Sequence, residues 1–459
     1  MVALLLCAAA IGLCGCGPER PSETPQRPAV VLTPGDRLLI LAPHPDDEVL
    51  CCGGIIQEAA AMGLPIRVAF FTYGDNNQWS FLLYRKHPVL KPGAVRQMGL
   101  VRHDEALAAD RLLGLSSDQL TFLGYPDFGT LHIWDAHWAD RPPFESMLTR
   151  ATNVPYANAL RPGAPYKGEE VVRDLITILG EFRPTKVFVS HPADHMPDHL
   201  ALYLFTRVAL WDLGREMRPE LYPYLVHFKH WPSPRGDQST EPLDPPPPLA
   251  SQIAWREYRL SPGRVQRKRS AIAAHRSQYA YSARYLQSFI RPNELFGDFP
   301  VVTLPASAPP AALAIPGVPR TEAPEELTDV ERAAFVGLEW RSVQREGNTL
   351  ALSIEFSRPL ANTVTASVFI FGYRADQPFA GLPKLHVRVG AIGYSVFDQD
   401  RTLPPDTLQV TRQLKSVTLR VPLAVLGSPH RILTSARTYL GEVPLDWSSW
   451  RVLELSQDP

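Results

Sequence analysis

The sequence predicts an α/β fold in which a mainly parallel sheet carries helices on both faces, followed by an all-β domain of sandwich-like type. Three observations carry that expectation. Apolar runs of strand length alternate with helical periodicity from Arg37 to Ser190. A Pro-rich stretch then interrupts the pattern between about Leu304 and Glu326, and beyond it the apolar period shortens to two.

The first element is RLLILA (37–42), a continuous apolar run suited to a strand buried on both faces. Residues 49–62 have helical length and periodicity, and IRVAFFT (66–72) returns to an apolar strand, which completes a βαβ unit. A helix over 168–182 leads through Pro184 into the strand TKVFVS (185–190). The sheet is therefore of Rossmann-like type. Residues 76–99 and 128–167 are long, Pro- and Trp-containing stretches, and loops of that length line a site or form a lid. Around Pro245 to Pro248 a surface loop is expected, and helical pattern resumes from Arg264 to Phe289. The later strands are TLALSIEF (349–356), TASVFIFGY (365–373) and SVTLRVPL (416–423).

At 459 residues the chain exceeds one ordinary core. A formal net charge of −1 supplies no basic field for nucleic acid. The cysteines, at positions 7, 14, 16, 51 and 52, form no spaced disulfide framework. Residues 2–15 are an apolar run too short to span a bilayer comfortably, and the ending Leu13-Cys14-Gly15-Cys16 resembles a bacterial lipobox. That reading makes 1–16 a signal peptide and acylates Cys16. It makes 17–35, rich in Pro, Ser and Thr, a disordered tether, and places the protein at a bacterial cell envelope as a membrane-anchored lipoprotein. The alternatives are a plain secretory signal, giving a secreted or periplasmic protein, and an uncleaved anchor. The remaining divisions are 36–303, a linker at 304–326, and a β domain at 327–459. The β domain is expected to fold separately and to supply binding or placement without a catalytic group.

Directly after the first strand stands Pro43-His44-Pro45-Asp46-Asp47-Glu48, and after the later one His191-Pro192-Ala193-Asp194-His195-Met196-Pro197-Asp198-His199. In a parallel sheet the C-terminal strand ends share one edge, so two His/Asp clusters some 150 residues apart meet at one rim. Histidine and carboxylate together suit zinc, and three protein ligands with an open position are what a catalytic site requires. Pro197 is placed to open the helix that carries His199.

These residues resemble the PIG-L (LmbE-like) family of zinc-dependent N-acetylglucosaminyl deacetylases. Further similarity runs through Thr72-Tyr73-Gly74-Asp75, the stretch from Arg102 to Leu107 with Leu113-Gly114, Gly124-Tyr125-Pro126-Asp127, and His275-Arg276-Ser277-Gln278, over roughly residues 37–300. The resemblance implies a hydrolase that removes N-acetyl groups from N-acetylglucosamine-containing glycans or glycoconjugates by zinc-hydroxide attack. It implies His44, Asp47 and His199 as ligands of Zn2+, with Fe2+ the alternative ion, and Asp46 as general base. Locally, the pair Asp46-Asp47 also fits a capped helix start. Relatives carry an oxyanion-stabilising His where Met196 stands, and a thioether cannot donate that hydrogen bond. The neighbouring His195 is assigned the role, with zinc alone or a loop histidine as alternatives.

By the same resemblance Arg102 and Asp127 are substrate contacts, although Arg102 with Glu105 also fits a helix-surface pair. Trp79, Trp134 and Trp138 fit either sugar stacking or the packing of a lid. His275 fits a pocket wall or a structural role, Glu48 a support of the turn, and Cys51 and Cys52 small buried side chains. Two other functions fit the sequence: a lipid-anchored glycan-binding protein with a relict catalytic domain, and a zinc amidohydrolase acting on a non-sugar amide.

Overall fold

The computed structural model describes residues 27–76, 91–305, 312–319, 322–325 and 327–456. The expected signal peptide, Cys16 and the loop residue Trp79 lie outside the described residues. Among the described residues, no helix is long and apolar enough to cross a membrane.

The N-terminal half contains β1 (Leu38–Ala42), α1 (Asp47–Ala61), β2 (Ile66–Thr72), α2 (Pro92–Leu113), β3 (Leu120–Tyr125) and α3 (Thr130–Ala136). It continues with α4 (Gly168–Phe182), β4 (Lys186–Ser190), α5 (Pro197–Leu213) and β5 (Glu220–Tyr224). The five strands pair in the order β3-β2-β1-β4-β5, every pair parallel. Alternate residues of β1 serve opposite cores. Leu38, Ile40 and Ala42 pack with α1, whereas Leu39 and Leu41 pack with α4 and α5. This double burial explains why the strands read as unbroken apolar runs rather than as alternating ones. A hairpin of β6 (Arg256–Arg259) and β7 (Asn293–Phe296) encloses α6 (Pro262–Ala274) and α7 (Arg276–Leu286), which break at His275 within the expected helical segment.

Then follow β8 (Val302–Leu304), β9 (Leu313–Ala314), α8 (Asp329–Ala334), β10 (Leu338–Glu346), β11 (Thr349–Phe356), β12 (Val364–Tyr373), β13 (Lys384–Val389) and β14 (Tyr394–Asp398). The chain ends with β15 (Arg401–Leu403), β16 (Gln409–Gln413), β17 (Ser416–Pro422), β18 (Arg431–Leu440), β19 (Val443–Trp447) and β20 (Arg451–Leu455). One sheet runs β16-β17-β11-β10-β9; the other runs β15-β14-β13-β12-β18-β20-β8 with β19 beside β18. Both contribute to one apolar interior, as the shortened period requires.

The two halves share a core. One buried cluster runs from the parallel sheet through α3 and α5 into Phe369, Phe371, Tyr373, Phe379 and Trp450 of the sandwich. Trp134 and Trp138, both 0 % exposed, sit in that seam with ring centroids 5.1 and 5.6 Å from Phe205, so they are packing residues and not sugar platforms. The expectation of a self-sufficient β domain thus meets an interface with the character of an interior. It also explains α5, which is apolar on nearly every face because sheet and sandwich cover it from two sides.

Candidate metal and catalytic site

β1 and β4 are neighbours, in register from Leu38 opposite Lys186 to Ile40 opposite Phe188. The strand order reverses between them, so the His44 turn and the His191–His199 segment leave the sheet side by side at its switch point. Pro197 occupies the first turn of α5 and sets His199 there, where the Ser190 hydroxyl donates to the His199 carbonyl at 2.7 Å.

The turn after β1 is held in an unusual conformation. Asp46 has φ 133° and ψ −27°, a region that non-glycine residues rarely adopt. Its amide donates to Glu48 Oε2 at 3.0 Å and its carbonyl accepts from Val49 and Leu50, which gives Glu48 the expected supporting role. Arg102 clamps the turn from α2, donating to Pro45 O at 2.7 Å and to Gly74 O at 2.9 Å. Gly74 has φ +61°, and a Cβ there would collide with the guanidinium. The Asp46 side chain makes no capping hydrogen bond, which removes the helix-cap alternative; its Oδ1 lies 3.5 Å from Arg102 Nη2.

Three donor atoms converge beneath this turn. His44 Nδ1 lies 3.3 Å from Asp47 Oδ2, His199 Nε2 lies 3.2 Å from the same oxygen, and the two ring nitrogens are 3.3 Å apart. Ligands about 2.0–2.1 Å from a tetrahedral ion are separated by about 3.3–3.4 Å, so the trio fits zinc's first shell. The outer nitrogens are also held. His44 Nε2 lies 3.1 Å from both Asp127 and Asp198, and His199 Nδ1 lies 3.2 Å from Asp194, the carboxylate support usual around metal-binding histidines. His44, Asp127 and Asp198 form a second close group, but Asp198 is already engaged by the amides of Phe128 and Thr130 and by the Thr130 hydroxyl.

The electrostatics favour a cation. Burial alone would lower His44, but Asp127, Asp198 and Asp47 outweigh it and hold its pKa well above the ordinary value. Burial likewise opposes charge on His199, yet Asp194 and Asp47 push it up to about 9. Asp47 is held well below the usual carboxylate range because His199 and His44 overcome its desolvation. Asp46 differs: desolvation raises it to about 6 despite the opposing Arg102 charge. A carboxylate near neutrality beside strongly ionised ones is the separation of roles that acid–base chemistry needs.

Above the trio opens a cavity of about 250 Å³ lined by His44, Asp46, Asp47, Arg102 and Asp127, with Met196, His227, Tyr281 and Tyr285 on its far walls. The structure therefore brings six of the seven expected residues together: His44, Asp46, Asp47, Arg102, Asp127 and, behind them, His199. Arg102 and Asp127 face the cavity but also support the turn and His44. Glu105 does not pair with Arg102; it accepts from the Ser277 amide and hydroxyl, tying α2 to the His-Arg-Ser-Gln turn. His275 is buried 3.5 Å from Glu48, behind the cavity wall.

His195 is the exception. Its ring packs 4.8 Å from Phe228 and 5.6 Å from Trp447, at the seam with the sandwich. Met196, in extended backbone ahead of Pro197, lines the catalytic cavity, whereas His195 lines the cavities of the seam. The histidine that does line the cavity is His227, three residues beyond β5, with its ring 5.0 Å from that of His199. Its Nδ1 lies 3.1 Å from the Tyr285 hydroxyl, and burial lowers its pKa to about 4, so it is neutral at physiological pH. Asp194 accepts the amides of Val226 and His227 at 3.0 and 2.9 Å and so fixes this loop and His199 together. No motif announced His227; only recognition of β5 could have placed it on the same sheet edge.

Residues 39–210 match the PIG-L family model, described as GlcNAc-PI de-N-acetylase. The chain is 26 % identical over 200 residues to a 1D-myo-inositol 2-acetamido-2-deoxy-alpha-D-glucopyranoside deacetylase of Rhodococcus jostii, covering 42 % of this chain and 60 % of that protein. It is 26 % identical over 297 residues to the protein of the same description from Kribbella flavida, covering 58 % of this chain and 90 % of that one. The structure of N,N'-diacetylchitobiose deacetylase from Pyrococcus horikoshii aligns at 20 % identity over 55 % of this chain and 75 % of that one, with a TM-score of 0.33.

Proposed function

We propose, from the match of residues 39–210 to the PIG-L family model, that the chain is a metal-dependent N-deacetylase of amino-sugar substrates. The observation that carries the proposal is the convergence of His44 Nδ1, Asp47 Oδ2 and His199 Nε2 at 3.2–3.3 Å beneath a cavity that also presents Asp46. These three residues would hold Zn2+ or a similar divalent ion, which when bound supplies a Lewis acid that acidifies water and polarises the acetamide carbonyl.

The chain's own groups supply the remainder. Asp46, held toward the cavity by its strained turn, accepts the proton of the attacking water and returns it to the departing sugar nitrogen. A pKa near 6 suits both transfers. Asp127 and Asp198 fix the His44 ring, and Asp194 fixes that of His199, so neither ligand reorients as charge develops. Where Met196 offers no donor, His227 takes over. The Tyr285 hydroxyl donates to the Val226 carbonyl at 2.9 Å and also lies 3.1 Å from His227 Nδ1; when it turns its one proton from that carbonyl to Nδ1, the neutral ring carries hydrogen on Nε2 and donates it to the oxyanion. Tyr281 and Gln278, themselves joined at 2.7 Å, offer hydroxyl and amide groups to the sugar.

Acetate release should be assayed on N-acetylglucosamine oligomers and conjugates, with metal content measured in parallel. Release that follows about one divalent ion per chain, stops on chelation and returns with zinc is the expected result. A fully metal-loaded protein that released acetate from no member of the panel would refute the reading. We also propose, from Leu13 to Cys16, that acylation of Cys16 anchors the enzyme at a bacterial envelope.

A further inference from the structure

Beside the catalytic cavity lies a second one of about 260 Å³, in the seam between the α/β domain and the sandwich. The two share His227 and Tyr285 as a common wall, so they are adjoining rooms of one groove. The second is lined by Phe228 and Trp447 on its apolar side and by Lys229, His230 and Arg235 on its polar side, with no carboxylate among the described residues of its wall.

Among the described residues, Arg235 and Lys229 form no ion pair. Arg235 stacks its guanidinium 4.5 Å from the centre of the Tyr285 ring, and its Nη1 is buried with no hydrogen-bond partner. Other arginines, Arg341, Arg437 and Arg451 among them, also carry a buried nitrogen without a partner, but each bonds or pairs through another nitrogen, whereas no hydrogen bond or ion pair joins Arg235 to a described residue. Lys229 is exposed at the same rim and forms no ion pair among the described residues. The nearest carboxylates are committed or outside. Asp194 is engaged by His199 and three backbone amides, and among the described residues Glu325 pairs with the exposed His230, at 3.7 Å. A buried guanidinium N–H without an acceptor is costly, and a site that keeps one beside a substrate cavity is built for an acceptor that arrives with the substrate.

Resting on the deacetylase reading, we propose that this seam cavity is an anion subsite. The amino sugar it serves carries a carboxylate or phosphate on the neighbouring unit, read by Arg235 and Lys229, while Trp447 and Phe228 take the apolar face of that unit. Both domains then build the substrate site, since Trp447 comes from β19 of the sandwich.

The test compares three acceptors: neutral N,N'-diacetylchitobiose, an N-acetylglucosamine disaccharide with N-acetylmuramic acid, and N,N'-diacetylchitobiose phosphorylated on its reducing unit. At least one anionic acceptor should be preferred in kcat/KM by roughly tenfold, the scale of one charge-assisted contact, with the carboxylate and phosphate arms telling which. The preference should shrink in 0.5 M salt and collapse toward one in the Arg235→Gln/Lys229→Gln double variant. Calorimetric binding of the same compounds to Asp46→Asn protein reads the subsite without turnover. Equal or tighter binding of the neutral disaccharide overturns the subsite even if deacetylation is found. Anion-selective binding without acetate release from any acceptor sustains the subsite and overturns the deacetylase reading instead.

Discussion

Replacing Asp46 with Asn removes one charge and one proton acceptor while keeping the side chain's size. The structure sets the expected cost of each loss. The side chain makes no capping bond and pairs with Arg102 at 3.5 Å, which retains Pro45 O and Gly74 O as acceptors. Asn tolerates positive φ nearly as well as Asp, so folding stability should change by about 1 kcal/mol or less. Metal occupancy should also be unchanged, because none of the three donor atoms is touched. Turnover is different. Loss of a positioned proton-transfer group costs roughly 10²- to 10⁴-fold, or about 2.7 to 5.4 kcal/mol of barrier, and should fall on kcat with KM nearly constant. Asp47→Asn is the contrasting control, in which metal content falls first and activity follows. The assay is acetate release with metal content and Tm measured on both proteins. A metal-loaded Asp46→Asn enzyme within about threefold of wild type would refute the role assigned to Asp46.

Other perturbations address separate parts of the molecule. His227→Phe should keep metal and fold but lower kcat by roughly 10-fold or more through loss of the oxyanion donor, and His195→Phe should leave turnover nearly intact; equal effects in steady-state assays would refute the assignment. Truncation after residue 303 uncovers Trp134, Trp138 and Phe205, each worth about 1.5–3 kcal/mol of burial, so soluble, metal-competent protein should not be recovered. Asp75 is raised to about 7 by burial, with Asp127 adding to it, so its folded pKa exceeds the unfolded value of 3.8. The stability it contributes is therefore complete below pH 3.8 and is lost as pH rises through about 7, a difference on the order of 4 kcal/mol. Asp75→Asn should flatten the fall of Tm between pH 4 and 8, and an unchanged slope would contradict the burial argument. Cys16→Ala should abolish acylation and release the protein from membranes, which mass spectrometry of the mature N-terminus decides.

What the sequence disclosed depended on how strongly each residue's setting constrains its neighbours. Strands buried on both faces must be apolar throughout, so β1, β2 and β4 were visible, and the motifs at their ends placed His44, Asp46, Asp47 and His199 at one rim. β5 escaped because it is a short edge strand containing Pro223, a residue that edges tolerate and patterns penalise, and His227 escaped with it. His195 packs against Phe228 and Trp447 instead of lining the catalytic cavity; the sequence shows which histidine is adjacent to Met196 but not which way its ring turns. Trp134 and Trp138 stand in a stretch whose composition reads as loop, and only the second domain reveals it as a seam.

The seam bears on the catalytic site through α5. Its first turn carries Asp198 and His199, while its body carries Phe205 and Trp211, which pack against Trp134, Trp138 and Tyr373. Tyr373 also donates its hydroxyl to Asp212 at 3.0 Å, pinning the far end of the same helix to the sandwich. A helix held along its length cannot shift its first turn independently, so docking of the sandwich limits the freedom of one metal ligand and of the Asp198 carboxylate that orients another. Interiors are close-packed and transmit displacement, so loosening the seam should be felt at the metal before it is felt as unfolding. The seam variant Phe379→Ala, far from every donor atom, should then weaken metal affinity in chelator competition while the protein still melts cooperatively. Metal affinity unchanged in a folded Phe379→Ala protein would show that the sandwich places substrate but leaves the ion's ligands to the sheet alone.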